Sequence, residues 1–468
     1  MEIKKGNINL CDQVSKSALN VLVEGDIILP DTKPDMSEIL MADAKAVVNS
    51  TECRNGSLVV IGQVVFTALY KPEESQDVKS VEQVLPYSQV LDIKCAESTE
   101  FKAEAMVEHI GFTLVNSRKL SAKVMVAMVV CGNQENCYEP VIEVSGENVE
   151  SRNKRYSIYI PVSETKTMIA VSDILTVPQN KPDIGEILKV DAYVTPQDIK
   201  VMNGKAMVHA ELHMNTVYTA AENGELVGVH HTIPFTEVVE APGADEQSVV
   251  HVSYNVDRIL ANTKGDLNGD TKIISVEADV CAKVCVSRTV SEKMVDDCYL
   301  MDSKTEIVRK NMKINEYVTS ENARIAVQNR VEAPKNVVIN EVINCCVKPL
   351  PRECAWENGK AKVNGNLVAT LIYRDESGTV RSAVSESDIN WEKTVEEPCS
   401  VEADMWIDSV NCDIDESGVK VITNVGLHAK ALKSHNVDII TDIQASDEEN
   451  LKPQPSMVVY FAKAGDTL

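Results

Sequence analysis

Two segments of the sequence carry a lysine, an aspartate and a glutamate at the same spacing, and these side chains could take part in catalysis. The two sets are Lys33, Asp35 and Glu38, and then Lys181, Asp183 and Glu186. Such groups could form an acid/base pair, or they could form a repeated surface for a partner. A structural role is favoured, because a proline fixes a turn between the lysine and the aspartate, and the aspartate could cap a short helix.

Two other segments carry potential metal ligands. His209, Glu211 and His213 alternate along a predicted strand, so their side chains project from one face. Residues 266–270, Asp-Leu-Asn-Gly-Asp, followed by Glu277, imitate the ligand spacing of an EF-hand calcium loop. A solvent-facing strand and a hairpin turn are favoured, because the first copy lacks the histidines and threonine replaces the glycine of the calcium loop. We therefore assign no metal, no cofactor and no catalytic residue.

These motifs lie in a sequence that repeats itself. A shift of 148 positions aligns residues 30–44 with residues 178–192 without a gap, and a further shift of 155 carries Glu186 onto Glu341. The third copy lacks the Lys-Pro-Asp triplet, since Asn-Val-Val stands at residues 336–338. The recurring motif residues are Lys33, Pro34, Asp35, Glu38, Lys181, Pro182, Asp183, Glu186 and Glu341. Recurrence at this period indicates tandem domains.

Each copy has the pattern of a β domain. Apolar residues alternate before the motif, and Asn-Gly pairs at residues 55–56, 203–204 and 358–359 predict hairpins. Residues 35–40 predict a one- to two-turn helix between strands. The sequence therefore predicts an all-β, mainly antiparallel fold with short helices, built from three tandem sandwich-like or barrel-like domains.

The predicted domains follow the period of the repeat. The first copy spans residues 1–140, the second 150–297 and the third, degenerate copy 305–441. An acidic, proline-containing linker is expected at 442–456, because its composition offers almost nothing to bury. An apolar segment follows at 457–468.

The composition and charge of the chain limit the kind of partner it can bind and the compartment in which it is expected. The formal net charge of -25 argues against nucleic acid binding, which depends on lysine and arginine side chains. The sequence contains no run of 18 apolar residues that predicts a membrane span, and its first residues lack the apolar stretch of a secretory signal. The 13 cysteines show no CxxC spacing and are expected to be reduced thiols of a cytoplasmic protein.

The apolar segment after the linker resembles the first strand and turn of a LysM module. The residues that carry the resemblance are Tyr460, Gly465, Asp466, Thr467 and Leu468. The match stops before the helices of that module, so the sequence holds only its beginning, as a truncated module would. Together with the repeated motif, this segment makes the chain similar to the SPOCS (spore coat and SipL) family of spore-forming Clostridia.

The resemblance implies a non-enzymatic scaffold or adaptor of spore coat assembly, similar to SipL-like coat morphogenetic proteins. It implies a place in the mother cell cytosol at the forespore surface and a contact, through the LysM module, with the ATPase of the coat base layer. A protein that binds peptidoglycan or cortex glycans through LysM is the alternative, and an enzyme of unknown type is the least favoured one. The sequence indicates nothing about self-association.

Overall fold

A computed structural model describes residues 1–54, 56–75, 77–93, 99–265, 271–301, 303–335 and 337–446. All regular elements in these ranges are β-strands, and none of the described residues forms a helix that is long and apolar enough to cross a membrane. The strands are β1 (Glu2–Lys5), β2 (Ile8–Ile28), β3 (Met36–Arg54), β4 (Ser57–Pro72), β5 (Lys79–Leu91), β6 (Thr99–Asn116), β7 (Lys119–Tyr138), β8 (Val141–Ser145), β9 (Val149–Thr176), β10 (Ile184–Met202), β11 (Lys205–Ala220), β12 (Leu226–Glu240), β13 (Val249–Lys264), β14 (Ile273–Leu300), β15 (Lys304–Glu332), β16 (Ile339–Glu357), β17 (Lys360–Asp375), β18 (Val380–Thr394), β19 (Ser400–Asp415) and β20 (Gly418–Ser446).

Each repeat is a sandwich of two three-stranded antiparallel sheets with its own apolar core. In the first repeat, the first sheet has the order β2-β7-β6 and the second sheet the order β3-β4-β5. The second repeat forms β9-β14-β13 and β10-β11-β12, and the third forms β15-β20-β19 and β16-β17-β18. Valine, isoleucine, leucine and alanine side chains fill each sandwich. The predicted all-β, antiparallel fold of three tandem sandwiches is confirmed.

The helix predicted for residues 35–40 is wrong, because β3 begins at Met36 and runs through this segment. Two β-bulges, between Met36 and Glu38 and between Ile39 and Met41, interrupt the alternation of buried and exposed residues. Buried Met36, Leu40 and Met41 consequently follow one another at a spacing that resembles a helical face. β10 has the same two bulges in the second repeat.

The predicted Asn-Gly hairpins join the second and third strands of each repeat. Gly56, Gly204 and Gly359 all have positive φ, between 71° and 80°, and Asn358 also has a positive φ of 52°. Two-residue hairpin turns require a positive φ at their central residues. Asn55 lies outside the described residues.

The three repeats pack in a cyclic order. The fourth strand of each repeat contacts the second strand of the next, so β5 lies against β10, β12 against β16, and β18 of the last repeat against β3 of the first. Leu40, Leu188 and Ile343, at equivalent positions of the three second strands, share one buried apolar cluster. The repeats therefore surround a pseudo-threefold axis.

The first and sixth strands of each repeat extend past the sandwiches and meet in a second apolar cluster. This cluster contains Leu10, Ile158 and Ile314 from the first strands of the three repeats, and it also buries Tyr138. The short strands β1 and β8 pair beside it. Residues 442–446 of the predicted linker form the end of β20, and the remaining linker residues lie outside the described part.

A glycine at the seam between the second and third repeats allows their backbones to approach. A Cβ atom added to Gly228 would overlap the carbonyl oxygen of Ile343. We expect Gly228→Ala to lower the free energy of unfolding by about 3 kcal/mol, because the clash forces the two repeats apart. Thermal and urea unfolding measure the effect. Gly111→Ala is the control, since its added Cβ finds only ordinary contacts beyond 3.6 Å, and equal stability of both variants would contradict the packing.

Candidate functional site

The motif lysines link consecutive repeats. Lys33 Nζ lies 4.0 Å from Glu186 Oε1, and Lys181 Nζ lies 3.2 Å from Glu341 Oε1. Lys79 also contacts Glu186, at 3.0 Å. Each motif lysine of the first two repeats thus forms an ion pair with the motif glutamate of the following repeat. The side chains are partly exposed, so these pairs contribute specificity of packing more than stability.

The motif aspartates bind the turn between the fifth and sixth strands of their own repeat. Asp35 accepts hydrogen bonds from Arg118 Nη1 at 2.6 Å and from Ser117 Oγ at 2.9 Å. These bonds to Arg118 and Ser117 hold the pKa of the Asp35 carboxyl below its ordinary value. Asp183 lies 3.8 Å from Lys272 Nζ in the second repeat. The aspartates therefore fasten a hairpin, and the predicted role as a helix cap is wrong because no helix forms there.

The motif prolines present their carbonyl oxygens to buried tyrosines. The hydroxyl of Tyr70 donates a hydrogen bond to Pro34 O at 3.1 Å, and that of Tyr218 donates one to Pro182 O at 2.9 Å. Both tyrosine side chains are fully buried. The prolines thus fix the entrance to the second strand of each repeat.

The third repeat fastens the same hairpin with the charges reversed. Arg330 at the end of β15 donates hydrogen bonds to Asp415 of the turn, with Nη2 at 2.8 Å from Oδ1. The hydrogen bonds from Arg330 and Ser417 hold the pKa of Asp415 well below its ordinary value. The repeat that lacks the Lys-Pro-Asp triplet therefore keeps the ionic clamp, with the cation on the strand and the carboxylate on the turn.

Four charged side chains from all three repeats meet on the pseudo-threefold axis. Lys189 Nζ lies 3.0 Å from Asp43 Oδ2 and also contacts Asp191, while Lys348 contacts Asp43 from the third repeat. Asn344 Nδ2 donates a hydrogen bond to Asp191 Oδ2 at 3.1 Å. We call Asp43, Lys189, Asp191 and Lys348 the axial cluster. Asp43 and Asp191 are equivalent positions of their repeats.

The electrostatics of the axial cluster favour its charged form. Burial opposes ionisation of Asp43, but the ammonium groups of Lys189 and Lys348 outweigh it and hold the pKa of the carboxyl well below its ordinary value. Burial likewise disfavours the charge of Lys189, and the carboxylates of Asp191 and Asp43 outweigh this and raise its pKa. The Lys189 side chain is 5% exposed. Removal of Asp43 would leave the buried ammonium group of Lys189 with one carboxylate in place of two, and such a loss of compensation is costly.

The two aspartates of the axial cluster, together with the neighbouring Cys346, form the only group of three potential metal ligands among the described residues. Carboxylate oxygens of Asp43 and Asp191 and the sulfur of Cys346 lie within 4.8 Å of one another. Two lysine ammonium groups already compensate the two carboxylates, and burial followed by the charge of Asp191 raises the pKa of Cys346 to about 12. A protonated thiol beside neutralised carboxylates is a poor ligand set. The geometry assigns this cluster a structural role.

The structure does not gather the predicted metal candidates into a site. His213 Nε2 lies 3.5 Å from Glu211 Oε2, while Nδ1 of His209 lies 2.8 Å from Thr236 Oγ1. These residues form no three-ligand group within the described ranges. Residues 266–270 of the calcium-like loop lie outside the described residues, as do the LysM-like residues Tyr460, Gly465, Asp466, Thr467 and Leu468.

A pair of stacked histidines at the seam between the second and third repeats was not predicted. The rings of His251 and His428 lie 4.2 Å apart, and His251 Nε2 lies 2.7 Å from Asp404 Oδ2. Burial, together with the neighbouring His251, lowers the pKa of His428 to about 4. Histidines on different repeats give no local pattern in sequence, so only the packing of the repeats brings them together.

Comparison with protein families identifies the repeated unit. Residues 35–115 and 183–264 match the family model described as SipL, SPOCS domain. The first two repeats belong to the SPOCS-domain family. Each matched region begins at a motif aspartate, and the family is a non-catalytic one related to sporulation. No curated protein and no solved structure matches the chain.

The axial cluster should dominate the coupling of the two SPOCS domains to the third repeat. We expect Asp43→Asn to lower the free energy of unfolding by about 3 kcal/mol, because Lys189 and Lys348 lose their shared carboxylate. Urea unfolding of the variant measures this loss. Glu38→Gln is the matched control, because Glu38 is 63% exposed in its ion pair with Lys71 and such pairs contribute at most about 1 kcal/mol. Equal losses in both variants would contradict the assignment.

The stacked histidines predict that stability depends on pH. In the folded protein His428 resists protonation down to about pH 4, whereas in the unfolded chain a histidine takes up a proton near pH 6.5. The unfolded state therefore binds more protons between these values, and the melting temperature should fall as pH falls from about 6.5 to 4. His428→Asn should reduce this slope and His109→Asn, on β6, should not. An unchanged slope in His428→Asn would exclude this origin.

Proposed function

We propose that the chain is a non-enzymatic scaffold or adaptor in spore coat assembly. The observation that carries the proposal is the presence of two SPOCS domains, which belong to a sporulation-related family. The proposed location is the mother cell cytosol at the forespore surface. The proposed partner is the ATPase of the coat base layer, and the proposed contact is the LysM-like segment 457–468.

The use of the motif residues supports a scaffold over an enzyme. The lysines and glutamates of the motif pair between repeats, and the aspartates bind hairpin turns. An acid/base pair needs groups that converge on a place where a substrate can react. Side chains that are already engaged in packing the repeats are better suited to building a rigid body than to chemistry.

The cyclic packing supports a role as a platform. The cluster of Asp43, Lys189 and Lys348 holds one end of the three sandwiches, and the apolar cluster of their extended strands holds the other. Strand β20 of the third repeat ends at Ser446, from which the acidic segment leads to the LysM-like residues. A binding segment on a tether beside a rigid body is an arrangement suited to capturing a partner at a surface.

Capture of the base-layer ATPase by the purified chain tests the proposal. We expect the full chain to retain the ATPase in a pulldown, and a variant with Tyr460→Ala and Asp466→Ala to lose most of this retention. Lys452→Ala, in the tether, is the matched control. Circular dichroism and the unfolding midpoint should be the same for all three proteins, because these substitutions lie beyond the three sandwiches.

Sedimentation with purified peptidoglycan separates the proposal from the glycan alternative. Co-sedimentation that depends on Tyr460 and Asp466, without retention of the ATPase, would replace the adaptor by a glycan-binding protein. Retention of the ATPase that is undiminished in the double variant would remove the LysM-like segment as the contact. No retention by the full chain would contradict the proposed partner.

A further inference from the structure

Two cysteines of the third repeat face each other where its two sheets meet. Cys345 lies on β16, the outer strand of the second sheet, and Cys412 lies on β19, the outer strand of the first sheet. These two strands contact each other along the open side of the sandwich. Both side chains pack against the same apolar core, and both are free thiols of intermediate exposure.

Both thiols line a cavity at the seam between the second and third repeats. The cavity has a volume of about 370 Å³, and Tyr193, His213 and His230 of the second repeat also line it. The cavity is large enough for small solutes, so a small oxidant can reach the sulfur atoms. The adjacent Cys346 instead points to the axial cluster beside Asp191.

The cysteine pair is particular to the third repeat. The offsets of 148 and 155 residues that relate the repeats place Val190 and Ala42 at the position of Cys345. Both of these residues pack against the apolar cores of their own sandwiches. The third repeat therefore carries a reactive pair where the two SPOCS domains carry ordinary apolar contacts.

We propose that Cys345 and Cys412 form a reversible disulfide that fastens the two sheets of the third repeat, with hydrogen peroxide as the oxidant. The thiolate of Cys412 attacks one peroxide oxygen and the O–O bond breaks. The leaving hydroxide takes up the proton that the Cys412 thiol released and becomes water. The resulting sulfenic acid is attacked by the sulfur of Cys345, which loses its proton and displaces a second water. Two thiols and one peroxide thus yield one disulfide and two waters.

The electrostatics of the pair agree with this order of attack. The hydrogen bond with Cys345 lowers the pKa of Cys412 despite burial, and the same bond, followed by burial, raises the pKa of Cys345. The thiolate therefore forms first on Cys412, and thiolates are the reactive species. Once the sulfur of Cys412 is oxidised, its negative charge is gone and Cys345 can lose its proton more easily.

Mass spectrometry of the full chain tests the proposal directly. The reduced protein is treated with hydrogen peroxide, the remaining thiols are alkylated, and linked peptides are identified after digestion. We expect a link between Cys345 and Cys412 in the natural sequence, reversed by dithiothreitol, and a melting temperature that is higher by a few degrees in the oxidised protein because the closed loop restricts the unfolded chain. Cys53 is disulfide-bonded in the structure, so the expectation that the cysteines are reduced thiols is wrong for this residue. Its alkylation is monitored in parallel.

Three variants assign the chemistry. Cys346→Ser should keep the link, whereas Cys412→Ser should abolish it together with the part of the gain in melting temperature that this link supplies. In Cys345→Ser the sulfenic acid on Cys412 has no partner, so dimedone should label that residue. Two results with the natural sequence would overturn the proposal. One is complete alkylation of both thiols after peroxide treatment, and the other is a link that joins Cys412 to Cys346. Neither result depends on how a variant folds.

Discussion

The packing of the three repeats depends on charges that are buried where the repeats meet. Asp43 of the first repeat is compensated by Lys189 of the second and by Lys348 of the third. A buried carboxylate without a cation is costly, and the two lysines cannot approach each other without a carboxylate between them. Removal of any one repeat breaks at least one of these ion pairs, so the cluster makes the three sandwiches interdependent.

Apolar packing on either side of the charges completes this arrangement. One cluster includes Leu40, Leu188 and Ile343 at equivalent positions, and the other joins the extended ends of the first and sixth strands. The recurring motif has a clear role in this context, since its lysine binds the next repeat and its aspartate binds a hairpin of its own repeat. The third repeat keeps the hairpin clamp through Arg330 and Asp415.

Local patterns in the sequence predicted the sandwiches, because strand alternation and Asn-Gly turns are set by neighbouring residues. The helix at residues 35–40 was predicted wrongly, because two bulges at Glu38 and Met41 imitate a helical spacing. Contacts between repeats join residues that are about 150 positions apart, and no local pattern in the sequence predicts them. Lys189 did carry a signal, since a lysine there replaces Met41, the equivalent and buried residue of the first repeat.

The buried charges should make the three repeats unfold as one unit, and the positions of the tryptophans make this measurable. All three, Trp356, Trp391 and Trp406, lie in the third repeat, so their fluorescence reports on that repeat, whereas circular dichroism reports on the strands of the whole chain. We predict that urea unfolding followed by the two signals gives coincident transitions. A fluorescence transition with a midpoint clearly apart from that of circular dichroism would show that the third repeat unfolds independently and would contradict the account.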